Sequence, residues 1–154
     1  MNAIAAGQLG PVFNPRQNTN QGVSDYFWYA TTPAAISTVA PNAQSLIQLD
    51  ADSQFAWLAT SYQASIAAAA LTEATNVIPL VTVNIQDGGS GKYLSSAPLP
   101  LAAIAGDGKR PYRLIGPRIF QPSATVNFNW VNAVAAGTSY VITLVFHGVK
   151  LYNG

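Results

Sequence analysis

Thr125-Val126-Asn127-Phe128-Asn129-Trp130 and Tyr140-Val141-Ile142-Thr143-Leu144-Val145-Phe146-His147 decide how this chain folds. In the first, Val126, Phe128 and Trp130 alternate with Thr125, Asn127 and Asn129. In the second, Tyr140, Ile142, Leu144 and Phe146 face one way, with Thr143 and His147 opposite. Successive side chains of a strand point to opposite faces, so this period of two predicts strands with one face buried and one wet. Gly137 lies in the connection between them.

The same pattern extends backwards. Val81, Val83 and Ile85 alternate with Thr82, Asn84 and Gln86, and Asp87-Gly88-Gly89-Ser90-Gly91 then predicts a hairpin turn into a partner strand over 92–95. Gln54 to Ile66 predicts a central strand, with Phe55 and Trp57 on one face and Leu58, Tyr62 and Ile66 on the other. Shorter strands are expected over 43–49 and, around the aromatic cluster Tyr26-Phe27-Trp28-Tyr29, over 23–32. Residues 66–76 favour helix by propensity but are too few for an independent one, and are expected to form a loop with at most a helical turn. The stretch 96–122 is rich in proline and glycine, with short strands expected at 101–105 and 112–115. Eight or nine short strands separated by turn signals predict an all-β, antiparallel β-sandwich or jelly roll. Strand period and turn spacing leave jelly-roll and immunoglobulin-like connectivities both open.

Residues 1–22 differ from the rest. Gly7, Gly10, Pro11, Pro15 and Gly22 stand among Asn14, Gln17, Asn18, Asn20 and Gln21, without strand or helix period. They predict an extended N-terminal arm leading into one domain over 23–154.

Composition limits the function. Of 154 residues, 49% are apolar and only 8% charged, against roughly 25% charged in an ordinary soluble domain. Asn, Gln, Ser and Thr carry the polarity, and these are buried in contacts more cheaply than charges when they find partners. A surface so poor in charge is weakly protected against association, so a life packed against other chains is expected. A net charge of +1 argues against bulk electrostatic attachment to nucleic acid or membrane. The absence of cysteine rules out disulfides and thiolate metal sites. The start of the chain lacks the basic and apolar regions of a signal peptide. The longest apolar run, Ile66 to Leu71, is far below the ~20 residues of a membrane span, so a soluble protein is expected.

Catalytic patterns are thin. His147 is the one histidine, it lies opposite the expected core face, and no Gly-x-Ser-x-Gly elbow accompanies it. It is read as a hydrogen-bonded surface or interface residue. Asp50 and Asp52 lack the glycine and glutamate of a calcium loop and read as a turn. Gly88-Gly89-Ser90-Gly91-Lys92 lacks both the spacing and the following Ser or Thr of a phosphate loop. No enzyme activity, cofactor or metal is expected, nor a small-molecule ligand. One charged feature remains: Lys109, Arg110, Arg113 and Arg118 against Asp107 alone give a local net of +3. The segment reads either as a solvated loop or as a binding segment; arginine suits two-point pairing with carboxylates, so in the second case an acidic protein surface is the expected partner.

Asp-Gly-Lys-Arg-Pro-Tyr (107–112), Pro-Arg-Ile-Phe-Gln-Pro (117–122), the Val-Asn-Phe-Asn-Trp strand and Tyr-Val-Ile-Thr-Leu-Val-Phe-His-Gly-Val-Lys-Leu-Tyr (140–152) together resemble the small head proteins of tailed bacteriophages. The likeness is to jelly-roll cement, or decoration, proteins and covers about residues 53–152. It implies a homo-oligomer, dimer or trimer, made in the host cytoplasm and bound on the virion head to the outside of the major capsid protein, which it would staple. The family carries no catalytic residues over. The expected partner-binding residues are Asn14, Arg16 and Asn18 of the arm with Lys109, Arg110, Arg113 and Arg118. A neck, tail or fibre-base component of the virion is the alternative. A carbohydrate-binding module using Trp28, Tyr29 or Trp57 is the third reading.

Overall fold

The two stretches that decide the fold occupy interior positions of two facing sheets. The computed structural model describes residues 24–37, 40–66, 77–133 and 138–152. The arm, with Asn14, Arg16 and Asn18, and the ambiguous segment 67–76 lie outside them.

Within the described residues the chain forms β1 (Ser24–Ala30), β2 (Ala34–Ile36), β3 (Asn42–Gln48), β4 (Gln54–Ile66), β5 (Val81–Asp87), β6 (Lys92–Tyr93), β7 (Leu99–Pro100), α1 (Leu101–Ile104), β8 (Tyr112–Phe120), β9 (Thr125–Asn132) and β10 (Tyr140–Leu151). One sheet has the order β1-β10-β4-β8, with β2 also on β10; the other runs β3-β9-β5-β6, with β7 also on β5. All these pairings are antiparallel. From β3 through β5, and again from β8 to β10, the chain crosses from one sheet to the other at each main strand. The first and last strands meet side by side. That winding is a jelly roll, which resolves the connectivity that strand period left open.

The buried faces are the apolar sets of the alternating stretches: Val81, Val83 and Ile85; Val126, Phe128 and Trp130; Tyr140, Ile142, Leu144 and Phe146. Burying one such side chain contributes about 1.5–3 kcal/mol. Trp57 stacks on Phe146 with ring centroids 4.0 Å apart, and Phe128 meets the edge of Phe146 at 5.4 Å. The aromatic polar atoms are satisfied in place. Trp130 Nε1 donates to Ser45 Oγ at 2.8 Å, and Trp57 Nε1 donates to the Ala59 carbonyl at 3.0 Å.

Three local expectations are corrected. Leu101–Ile104 forms a helical turn instead of a strand; Leu and Ala favour helix, and the turn puts Leu101 into the core without joining a ladder. Past Pro33 the first run resumes as β2, and the two pieces follow one edge of β10, joined by a bond from Thr31 N to the Leu144 carbonyl of 2.9 Å. The third concerns β4. The register shifts between Trp57 and Ala59, opposite a shift between His147 and Gly148. A bulge changes which side chains face in, so Tyr62 and Ala64 pack against the same core as Phe55 and Trp57. Gly148 makes this possible: a Cβ there would lie 2.2 Å from the Ala56 carbonyl oxygen.

Candidate functional site

Three surfaces follow from this architecture. The outer face of the β1-β10-β4-β8 sheet carries two cross-strand rows, Trp28–His147–Ala59–Arg113 and Tyr26–Val149–Ala56–Ile119. Tyr29 turns inward, so the alternation of β1 forces Tyr26 and Trp28 outward, where they are 81% and 63% exposed. Trp28 meets the His147 ring edge-on at 6.4 Å. His147 Nε2 and Ser61 Oγ share a hydrogen bond of 2.7 Å, and burial pushes the imidazole below its ordinary pKa of 6.5. The ring is therefore neutral at pH 7, and Arg113 is the charge in the two rows. This placement agrees with the reading of His147, from its position in the sequence, as a hydrogen-bonded surface residue.

The outer face of the other sheet is an uncharged lattice. Gln44, Asn129 and Asn84 form one row, and Leu46, Asn127, Gln86 and Tyr93 the next. Gln44 Nε2 donates to Asn129 Oδ1 at 3.0 Å, and Thr125 Oγ1 donates to Gln48 Oε1 at 2.8 Å. Amides and hydroxyls bonded to each other across strands stiffen the sheet without needing any charge.

The third surface is a cleft where the sandwich opens beside β8. It has a volume of about 420 Å³. Trp57, Val83 and Ile85 form its floor, and Leu99, Tyr112 and Arg118 stand around it. Arg118 reaches across from β8 to β5, where its Nη2 donates to Asp87 Oδ2 at 3.2 Å. Asp87 also accepts from Ser90 Oγ at 2.9 Å and from the Gly89 amide at 3.0 Å. Burial raises the Asp87 pKa, but bonds from Ser90, Arg118 and Gly89 outweigh it and hold the carboxyl below its ordinary range. The hairpin turn expected after Asp87 is thus tied down by that same carboxylate. Arg118 is less well served: its Nε is buried and finds no acceptor among the described residues. A buried donor left unpaired costs about 1–3 kcal/mol.

The basic segment is divided by these surfaces. Asp107 Oδ1 accepts from the Lys109 and Arg110 amides, at 3.0 and 2.6 Å, which folds the turn and leaves both side chains exposed. Arg113 joins the outer face, whereas Arg118 turns into the cleft. Of the aromatic residues considered for sugar stacking, Trp28 is exposed, but Tyr29 and Trp57 belong to the core. Sequence reasoning missed the cleft, because Arg118 and Asp87 lie on different sheets, 31 residues apart, with no motif joining them. Among the described residues no group of His, Cys, Asp or Glu is placed to hold a metal ion, and no helix is long and apolar enough to cross a membrane.

In comparison with known proteins, no family model, curated protein or solved structure matches the chain.

Proposed function

We propose that this protein is a structural component of a virion head, a cement or decoration protein bound to the outside of the major capsid protein. Its attachment surface is the outer face of β1-β10-β4-β8. The observation that carries this reading is the pair Tyr26 and Trp28, both exposed on one sheet face with Ile119 and Arg113. Tyr, Trp and Arg are the residues in which interface binding energy concentrates. Tyr26 and Trp28 stand side by side on the edge strand β1 as an exposed aromatic pair, and large apolar side chains grouped at a surface mark an interaction site. The jelly roll serves viral shells and also lectins, and fold alone assigns neither role. Support therefore rests on the surface and on the resemblance over residues 53–152.

The test is particle occupancy. Purified virions are imaged by electron microscopy, with the chain at many equivalent positions on the head as the expected result. Trp28→Ala with Tyr26→Ala should empty those positions while leaving the melting temperature nearly unchanged. A few copies at one vertex or on the tail would favour the neck, tail or fibre-base reading. The aromatic pair also suits stacking on sugar rings, and binding on a glycan array that Trp28→Ala abolishes would favour a carbohydrate-binding module.

A further inference from the structure

We infer that the cleft beside β8 is a binding site for a small apolar carboxylate, a ligand with an aliphatic body and one carboxylate group. This goes beyond the shell reading, which makes no use of the cleft. It also gives up the sequence expectation that no small molecule is bound.

Size and lining come first. About 420 Å³ lies within the range of small-ligand sites, roughly 300–1,000 Å³, which are mostly apolar with a few placed polar groups. Here the floor is Trp57, Val83 and Ile85, with Leu99 beside it. Such a surface takes an aliphatic body.

The polar group selects the other end of the ligand. Arg118 gives Asp87 one hydrogen bond, while its Nε–H is buried and unpaired among the described residues. Asp87 has Ser90 and Gly89 as further donors, so it does not require more of the guanidinium. A guanidinium binds a carboxylate best through two parallel N–H groups. A ligand carboxylate that takes Nε–H and a second N–H, with a small shift of the side chain, satisfies the orphan donor and shares the guanidinium with Asp87. An alcohol could accept one bond there, and an amine would meet like charge.

A polypeptide strand fits less well. Adding a strand to an edge requires a continuous ladder of main-chain groups. Between Arg113 and Arg118, β8 leaves its ladder with β4, Pro117 has no N–H, and Ile115 stands out 96% exposed. Such an interruption protects an edge from pairing.

The test uses the full chain alone, with no particle, so it stands or falls separately from the shell reading. Calorimetric titration with sodium decanoate should show saturable binding of one molecule per chain. Decanol should bind at least about tenfold more weakly. Arg118→Lys keeps the charge and loses the fork, and should weaken decanoate by about tenfold. Leu99→Trp fills the cleft and should abolish binding, with melting temperatures confirming that both variants fold. If Arg118→Lys does not fold, the decanoate–decanol difference and Leu99→Trp decide. No decanoate binding, equal binding of decanol, or full binding by folded Leu99→Trp or Arg118→Lys would each overturn the site.

Discussion

Lys150 carries its ammonium into one end of the core and pairs there with Asp50, so that a buried cation is matched by a carboxylate at the surface. The lysine side chain is 9% exposed and the aspartate 46%. The ammonium lies 4.0 Å from the Phe27 ring centroid, and Tyr29 donates its hydroxyl to the same carboxylate at 2.8 Å. The arrangement is unequal, and removing each partner has a different cost.

Asp50→Ala leaves a buried ammonium without its acceptor and should destabilise by about 1–3 kcal/mol. Lys150→Met leaves the carboxylate in water and keeps apolar contact with Phe27 and Tyr29, so it should cost less than about 1 kcal/mol. Urea unfolding of both variants gives the comparison. Equal losses would mean that the carboxylate is as desolvated as the lysine.

Stability should fall with acid in two stages. Burial depresses the His147 pKa, so below 6.5 the unfolded chain takes up a proton that the folded chain does not. Asp50, held down first by its Lys150 bond, and Asp87 both ionise below their ordinary range when folded. Their contribution is present above the unfolded carboxyl range and is lost as pH falls through the folded values. Towards alkali, Lys150 is raised on balance: burial lowers it, but the Asp50 bond prevails. Its contribution is lost as pH rises through that folded value. His147→Gln should remove the first acid stage and leave the second, as read from urea midpoints across the acid range.

Gly148→Ala should destabilise by about 1–3 kcal/mol or more. The added methyl would lie 2.2 Å from a backbone oxygen and 2.5 Å from the Phe55 ring, and overpacking of that kind forces backbone movement. Thermal unfolding measures it, and a fall within about 0.5 kcal/mol would show that the bulge relaxes freely.

Reversing Lys109, Arg110 and Arg113 to Glu should reduce particle occupancy, and the residual binding should strengthen with added salt instead of weakening. All three side chains are exposed, so melting should hardly change. Unchanged occupancy would remove the basic segment from the interface. Arg118 is left intact, because it belongs to the cleft.

Much of the fold was legible wherever one face of a strand is wet. Val126, Phe128 and Trp130 announced their inner face because Asn127 and Asn129 stand between them. β4 was harder to read. Apolar residues lie on both its sides, and nothing in Trp57-Leu58-Ala59 marks the bulge; the sign of it is Gly148, on the neighbouring strand. The aromatic cluster 26–29 had no polar spacers, so composition could not tell outward Trp28 from inward Tyr29. The cleft is a property of two sheets meeting, and its key pair, Arg118 and Asp87, is assembled only in three dimensions.

The position of β10 has a consequence for how the molecule comes into being. The strand lies between β1 and β4, with Ser24 opposite Leu151 and Ile66 opposite Tyr140. During synthesis from the N-terminus, β1 and β4 both wait for a neighbour made more than 70 residues later. Contacts this distant in sequence make folding slow, and Tyr29, Phe55 and Trp57 remain uncovered meanwhile. The chain is thus vulnerable to aggregation until β10 has been made, and loss of β10 would leave β1 and β4 with no partner between them.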